Sequence, residues 1–263
     1  MTRASGFLLS GLALLAVPTQ TWAQADSITL CTVMADATTG GILRQDGDGC
    51  DRRLPPASTF KIALSLMGYD AGILADEHDP AWAWREGYPA WNPAWRAVTD
   101  PARWMKISVV WYSQQITARL GADRFGTYVE AFDYGNRDVS GGLERAWIGS
   151  SLAISPREQL AFLRQVATRQ LQLSPRAYDM TAAITEQDGR PGGWRIHGKT
   201  GTGVPMGADG KPDGRRTYGW FVGWAIKDAR SVVFARLIQD QEKQAVNAGI
   251  RARDGVIPDL FGR

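Results

Sequence analysis

The chain has 263 residues, of which 44% are hydrophobic and 22% are charged, and its formal net charge is +3 at pH 7. This composition is typical of a globular protein with a large apolar core. The net charge is mild, and the sequence has no block of lysine and arginine and no basic-aromatic stripe, which argues against nucleic acid as a partner.

The N-terminus has the pattern of an export signal. Arg3 supplies a positive charge, and residues 7–17 form a short apolar run that Pro18 ends. Either Thr21-Trp22-Ala23 or Ala23-Gln24-Ala25 then offers a small-residue cleavage site. The alternative is a membrane anchor, but the run is shorter than the roughly 18 apolar residues that a spanning helix needs. We therefore expect a cleaved signal peptide over residues 1–25, secretion to the periplasm, and no membrane insertion of the mature chain.

The mature chain begins with two predicted strands, 28–35 and 41–44, which are joined by a turn at 37–40. Cys31 and Cys50 are the only cysteines and flank this hairpin. Neither lies in a Cys-x-x-Cys pair or near a histidine, which argues against zinc and dithiol redox chemistry. An oxidising compartment would let the two pair. We predict a structural disulfide that stabilises the fold by roughly 3 kcal/mol.

Helical periodicity dominates the middle of the chain, and strand-like composition returns towards its end. A loop rich in Trp, Pro and Gly is predicted at 76–100. The predicted helices are 58–70, 101–120, 123–132, 156–168 and 176–186. The later predicted strands are 194–199, 218–226 and 231–237, and a closing helix covers 245–254 or more.

Strands at both ends with helices between them do not form alternating βα units. They indicate an α+β fold with a central antiparallel sheet formed by both termini and flanked by helices. We expect a single catalytic domain over residues 26–263. Its sheet comes from about 26–56 and 190–263, and its mainly helical insert covers about 57–189. A cleft is expected where the insert meets the sheet.

Four short polar motifs stand in order along this framework. Ser58 and Lys61 are three residues apart at the start of a predicted helix, where they share one face. The motifs are Ser58-Thr59-Phe60-Lys61, Ser108-Val109-Val110, Tyr134-Gly135-Asn136 and Lys199-Thr200-Gly201. Together they resemble the serine β-lactamases and penicillin-binding proteins, a superfamily of penicillin-recognising serine enzymes. Their particular forms resemble class D, the OXA-type oxacillinases, over essentially the whole mature chain.

The resemblance implies a serine β-lactamase or DD-peptidase-like fold. It also implies hydrolysis of the β-lactam ring of penicillin-type antibiotics, through a serine acyl-enzyme, and hence antibiotic resistance. Ser58 would be the nucleophile, which needs a base to remove its proton. A dry pocket would hold Lys61 neutral, and its reaction with CO2 would give a carbamate as that base. CO2 or bicarbonate is therefore required, whereas no metal and no other cofactor is expected.

The remaining roles are carried over from the same resemblance. Ser108 relays a proton to the leaving nitrogen, and the backbone N–H groups of Ser58 and Thr202 form an oxyanion hole. Val110 and Trp147 line the carbamate pocket. The substrate carboxylate is held by Lys199, Thr200, Gly201 and Arg251, with Arg253 as an alternative to Arg251 two residues on. Tyr134 and Asn136 form the cleft wall.

Other interpretations fit less well. Residues 193–200 match the P-loop pattern Gly-x4-Gly-Lys-Thr, but the segment is bulky and strand-like, and no long helix can follow it. His78 and His197 lack a nucleophile-elbow serine to serve. A penicillin-binding DD-peptidase or a β-lactam sensor domain would carry the same motifs. The polar stretch 203–216 either borders the cleft or is a surface loop.

Overall fold

The centre of the molecule is a five-stranded antiparallel sheet with strand order β2-β1-β5-β4-β3. The computed structural model describes Met1 and residues 27–262, so the predicted signal peptide lies outside the described residues except for Met1. The strands are β1 (Ser27–Asp36), β2 (Ile42–Asp46), β3 (Arg195–Gly203), β4 (Tyr218–Lys227) and β5 (Arg230–Asp240). Both termini contribute to the sheet, as predicted.

Six α-helices surround the sheet in the described residues. They are α1 (Lys61–Asp70), α2 (Pro101–Ile107), α3 (Val110–Ala131), α4 (Pro156–Ala167), α5 (Pro175–Thr185) and α6 (Ala248–Phe261). Short 3-10 turns precede α1 at Ala57–Phe60 and lie at Pro93–Trp95 and Pro191–Gly193. Prolines in the first turn and side-chain N-caps fix the starts of α2, α4 and α5.

Two apolar layers lie on opposite faces of the sheet. On one face, α6 packs Val256 against Phe221 and Phe234. On the other face, Trp220 and Val222 join the main core with α1 and α4. The neighbouring residues of β4 thus point to opposite layers, as alternation along a strand requires. The predicted α+β class, a central antiparallel sheet with a mainly helical insert, is confirmed.

The prediction of one helix over 101–120 is wrong. Ser108 adopts a left-handed conformation with φ of 63°, which ends α2, and α3 begins at Val110. Periodicity does not report such a break because apolar residues continue on both sides of it. Gly121, with φ of 75°, interrupts α3, so the helix predicted to begin at 123 is the second part of α3.

The predicted disulfide between Cys31 and Cys50 is present, with the two Cα atoms 5.0 Å apart. It links β1 to the segment that follows β2 and leads to Ser58. Arg157 donates its backbone N–H to the carbonyl of Cys50, which connects the same segment to the start of α4. The disulfide therefore holds the segment that leads to Ser58 against the sheet.

Two further observations concern the described residues alone. None of their helices is long and apolar enough to span a bilayer. The segment Arg195–Gly203 is a strand that pairs with β4 along its whole length, which is incompatible with the P-loop interpretation of residues 193–200.

Candidate active site

A cleft of about 560 Å³ lies where the helical insert meets the β3 edge of the sheet. It brings together the first, second and fourth motifs, which are distant in sequence. Its lining residues are Ser58, Trp91, Asn92, Trp95, Lys106, Ile107, Ser108, Val110, Lys199, Thr200, Gly201, Thr202, Asn247, Ile250 and Arg253.

The turn that carries Ser58 is held from several sides. Ala57, with φ of 50°, donates its backbone N–H to the carbonyl of Trp147 at 3.0 Å. The indole of Trp220 donates to the Pro55 carbonyl at 3.2 Å. A Cβ at Gly201 would approach the Pro56 carbonyl oxygen to 2.9 Å, so only glycine lets β3 pass this close to the turn. Ser58 itself is half-buried at the cleft.

Lys61 lies on the first turn of α1 with its side chain fully buried. Its Nζ has no hydrogen-bond partner in the part of the chain that the structure describes. Phe60 beside it stacks on Trp147 with ring centroids 5.6 Å apart, and Phe125 packs edge-on against both rings. Burial, followed by the positive charge of Lys199, holds the pKa of Lys61 well below its usual value.

The α2–α3 break positions Ser108 and Val110 at the cleft. Ser108 is the last residue of the α2 turn and donates its backbone N–H to the carbonyl of Trp104. Val110 follows as the first residue of α3 and is 4% exposed. A continuous helix would separate these two residues onto different faces, whereas the left-handed residue between α2 and α3 brings both to the cleft.

Lys199 projects from β3 and is 5% exposed. Its Nζ donates to the backbone carbonyl and the hydroxyl of Thr200 at 3.1 and 3.2 Å. Burial, followed by the charge of Arg253, lowers the pKa of Lys199 to about 7. Lys199 thus differs from Lys61 in having polar partners.

The backbone of β3 exposes donors along its outer edge. The carbonyls of Ile196 and Gly198 both point away from β4, because Gln187 donates to each of them, at 2.8 and 3.0 Å. Backbone polar groups of alternate strand residues point to the same side. The N–H groups of Thr200 and Thr202 therefore also point away from β4, towards the cleft that both residues line.

The structure corrects the position predicted for Arg251. Its guanidinium binds Ser27 and Asp240, and its Nε donates to the Val246 carbonyl at 3.0 Å. Asp240 is only 1% exposed, so this ion pair turns Arg251 towards β5 and away from the cleft. Arg253 lines the cleft instead. The two arginines are two residues apart on α6 and therefore point to different sides.

The predicted cleft wall of Tyr134 and Asn136 is also corrected, since neither residue lines the cleft. Tyr134 is fully buried, packs edge-on against Phe60 at 5.0 Å, and accepts a hydrogen bond from Gln159 at 3.4 Å. Asn136 donates to Ser151 at 2.8 Å and accepts from the Ala153 N–H at 3.0 Å. Both residues support the serine turn and the chain after Trp147 from behind.

Several cleft residues were not predicted from the sequence. Trp91, Asn92 and Trp95 come from the Trp-rich loop, whose composition gave a signal that was interpreted only as loop and core packing. Lys106 and Asn247 lie in no sequence motif that indicates a functional site. No residue of the stretch 204–216 lines the cleft, so this stretch is a surface loop in the described chain, with Met206 62% exposed.

Comparisons with known proteins agree with this arrangement. The family description of the penicillin binding protein transpeptidase domain matches residues 30–261. Beta-lactamase OXA-9 of Klebsiella pneumoniae is 46% identical over 88% of this chain and 86% of its own length. Beta-lactamase OXA-1 of Escherichia coli is 34% identical over 88% of this chain and 83% of its own.

Solved structures give the same result. The crystal structure of the OXA-427 class D β-lactamase is 46% identical, covers 88% of this chain and 96% of its own, and superposes with a TM-score of 0.82. A class D β-lactamase from Bacillus subtilis is 27% identical with a TM-score of 0.74, over 90% of this chain and 92% of its own. The chain therefore belongs to the class D serine β-lactamases, within the family of the penicillin binding protein transpeptidase domain.

Proposed function

We propose that the protein hydrolyses the β-lactam ring of penicillin-type antibiotics through a Ser58 acyl-enzyme, with carbamylated Lys61 as general base. The observation that carries this proposal is the buried Nζ of Lys61, which has no partner among the described residues and lies on the same helical turn as a cleft serine. The curated relatives named above are β-lactamases, and such an enzyme confers antibiotic resistance.

The surroundings of Lys61 fit the modification. An unpaired polar group in an apolar interior is costly, and its neutral form is the one that burial favours. A neutral amine adds to CO2 with loss of one proton, which gives an N-carboxylate. When present, this carboxylate supplies a base for the Ser58 hydroxyl. We propose that the Trp147 indole N–H donates to it and that Val110 lines the same pocket.

Ser58 then attacks the lactam carbonyl carbon, the C–N bond breaks, and the serine ester forms. A negative oxygen develops on that carbonyl during the attack and needs preorganised donors. We assign these donors to the backbone N–H groups of Ser58 and Thr202. The support is the outward orientation of Thr202 along β3 and the position of Ser58 at the start of α1, where the helix dipole favours negative charge.

Ser108 faces the same cleft and is suited to pass a proton to the leaving lactam nitrogen. We assign the substrate carboxylate to Lys199, the Thr200 hydroxyl and Arg253, with Gly201 allowing close approach of the strand. Arg253 takes the role expected of Arg251 because only Arg253 lines the cleft. A water molecule activated by the same base would release the acyl group.

Multiple-turnover kinetics on the purified mature chain test the function. We expect many molecules of nitrocefin to be hydrolysed per protein molecule, and covalent labelling by benzylpenicillin, detected by mass spectrometry, to be lost in Ser58→Ala. One stable adduct per protein without turnover would indicate a β-lactam sensor. Slow release accelerated by an amine acceptor would indicate a DD-peptidase.

A second measurement tests the base. Activity should fall in acidified, bicarbonate-depleted buffer and recover when bicarbonate is added, and 13C-bicarbonate should give a carbamate signal in the NMR spectrum. Activity independent of bicarbonate would contradict the carbamate. For the proposed export to the periplasm, N-terminal sequencing of the secreted protein should find a new start near residue 26.

A further inference from the structure

Thr202, whose backbone N–H is the proposed oxyanion donor of the sheet wall, lies where the outer edge of β3 has little support. Gln187 holds the earlier part of that edge through the carbonyls of Ile196 and Gly198. At Thr202 itself, no backbone hydrogen bond reaches the outer edge within the described chain. The position of this N–H group therefore depends on other contacts of Thr202.

The backbone on both sides of Thr202 is glycine, and close packing requires both of these glycines. A Cβ at Gly201 would lie 2.9 Å from the Pro56 carbonyl oxygen, and a Cβ at Gly203 would overlap the Tyr218 ring. Pairing with β4 holds the two glycines from one side only. Because glycine has the greatest backbone freedom of any residue, the side chain of Thr202 is left to restrain this segment.

The Thr202 hydroxyl is held through both its hydrogen and its oxygen by the first turn of α6. It donates to Oδ1 of Asn247 at 2.5 Å and accepts the Gly249 N–H at 2.9 Å. Asn247 is the N-cap of α6, and its Oδ1 also accepts the N–H groups of Gly249 and Ile250 at 3.0 and 3.4 Å. Backbone N–H groups can only donate, so the amide oxygen faces the helix and the hydroxyl hydrogen points to it. One asparagine thus caps α6 and fixes the rotamer of Thr202.

The first turn of α6 also rests directly on the backbone around Thr202. A Cβ at Gly249 would lie 2.6 Å from the Gly201 carbonyl oxygen. A Cβ at Gly219, the β4 partner of Thr202, would overlap the Ala248 carbonyl group. The two glycines therefore let the helix approach both strands, so the hydrogen bonds to the Thr202 hydroxyl connect the end of β3 to a helix and not to a surface loop.

We propose that Asn247 is a positioning residue. Through the Thr202 hydroxyl, it orients the Thr202 backbone N–H towards the oxygen that becomes negative when Ser58 attacks. This inference rests on the proposed function. Preorganised donors stabilise such an oxygen because they need no rearrangement during the reaction. An amide suits the role better than a carboxylate, since Asp caps a helix equally well but would add a negative charge to the cleft that Asn247 lines.

The test compares Thr202→Val and Asn247→Ala with the wild-type protein. Thr202→Val keeps the shape of the side chain and the backbone N–H, and it leaves Gly249 bonded to Asn247, so the helix cap is retained. In both variants kcat/KM for nitrocefin should fall by about 10-fold, less than the 10²- to 10³-fold cost of losing a whole oxyanion donor. Because both changes break the same hydrogen bond, the double variant should lose no more than the larger single loss.

Two inhibitors separate positioning from general damage to α6, which also carries Arg253. With phenylboronic acid, the Ser58 oxygen bonds to boron, its proton passes to the base, and a boron-bound oxygen occupies the oxyanion hole. Its affinity should fall by about 10-fold, in parallel with kcat/KM, as expected of a transition-state analogue. The penicilloic acid formed from benzylpenicillin has the carboxylate proposed to bind Arg253 but no tetrahedral centre at Ser58, so its affinity should be unchanged.

Ser174→Ala is the control for loss of a helix cap. Ser174 caps α5 by accepting the Ala177 N–H and lies outside the cleft lining. This variant should lower the melting temperature, as Asn247→Ala does, and should leave kcat/KM and both affinities unchanged. Equal loss of the two affinities in Asn247→Ala, an unchanged kcat/KM in Thr202→Val, or additive losses in the double variant would overturn the inference. A wild-type protein that neither turns over nitrocefin nor binds phenylboronic acid would refute the proposed function, and this inference with it.

Discussion

Lys61 and Lys199 are two buried lysines, Lys61 behind the helical wall of the cleft and Lys199 in its sheet wall, and their surroundings differ. Lys61, on the helical wall, follows Phe60, whose ring stacks on Trp147, and has an unpartnered Nζ within the described chain. Lys199, on the sheet wall, donates twice to Thr200. Burial is the first cause of a lowered pKa in both: the pKa of Lys61 lies well below its ordinary value, and that of Lys199 falls to about 7.

Under the proposed mechanism, these two environments give one residue type two functions. Burial favours the neutral form of a lysine, which can act as a nucleophile towards CO2, whereas a lysine with a pKa of about 7 keeps a cationic fraction at neutral pH. Environments that separate the pKa values of like groups are a common feature of active sites. The helical wall therefore supplies the proposed base, and the sheet wall supplies the proposed anion site.

The sharpest way to break this comparison is Lys61→Met, which keeps the volume of the side chain and removes the amine. Loss of a general base lowers rates by about 10²- to 10⁴-fold, and we expect kcat/KM for nitrocefin to fall within that range. The free energy of unfolding should be equal or higher, because a buried amine without a partner is removed. Urea unfolding measures this second quantity.

Lys199→Met is the matched control on the other wall. It should raise KM for penicillins, since the amine is proposed to bind the carboxylate, and it should leave the dependence on bicarbonate intact. Retained bicarbonate dependence in Lys61→Met, or its loss in Lys199→Met, would show that the two walls do not have separate roles.

The next effect concerns two arginines of α6. Arg253→Ala should lower kcat/KM by about 10- to 150-fold, as expected for loss of charge-assisted hydrogen bonds to a carboxylate, without a change in melting temperature. Arg251→Ala should have the opposite profile. It leaves Asp240, 1% exposed, without its ion-pair partner, and should lower the free energy of unfolding by about 3 kcal/mol.

Steady-state kinetics and urea unfolding of both variants show which arginine binds substrate and which one stabilises the fold. A kinetic defect confined to Arg251→Ala would restore the role that the sequence resemblance gave to Arg251.

This pair also shows what the sequence could predict. The α+β class, the strands at both ends of the chain, the disulfide and the motif residues Ser58, Lys61, Ser108 and Lys199 were predicted from short patterns whose chemistry depends on residue type and local spacing. The choice between Arg251 and Arg253 does not, since it depends on Asp240, which β5 places beside one of them. The orientation of Arg251 is therefore decided by Asp240, a partner on another element of the fold.

The other errors have similar causes. The helix break at Ser108 is a single left-handed residue, which leaves the surrounding apolar pattern unchanged. Tyr134 and Asn136 belong to a recognisable motif, but a motif does not specify whether a side chain points into a cleft or supports it from behind. Trp91 differs from the buried tryptophans only in exposure, which composition does not report.

A smaller effect is the pH dependence of stability that Lys199 contributes. Its folded-state pKa of about 7 lies below its ordinary value of 10.5. Between these values the unfolded chain binds more protons than the folded chain, so the free energy of unfolding rises with pH, by at most about 1.4 kcal/mol per unit. Below pH 7 both states are protonated and this contribution stays at its minimum.

Urea unfolding at pH 7, 8 and 9 in CO2-free buffer checks this, with Lys199→Met as the reference that lacks the slope. KM for benzylpenicillin should rise over the same range, because the neutral amine binds a carboxylate less well. A wild-type slope equal to that of Lys199→Met would mean that the Lys199 ammonium is not destabilised by burial.

The smallest expected effect is that of Tyr134→Phe on the helical wall. It removes only a hydroxyl that accepts one 3.4 Å hydrogen bond from Gln159, while the ring keeps its edge-on packing against Phe60. The free energy of unfolding should fall by about 0.5–1.5 kcal/mol, and kcat and KM should stay unchanged because the side chain is fully buried behind the serine turn. A changed KM with unchanged stability would instead show that Tyr134 contacts the substrate. The helical wall would then have a polar substrate contact, which the comparison with Lys199 does not expect.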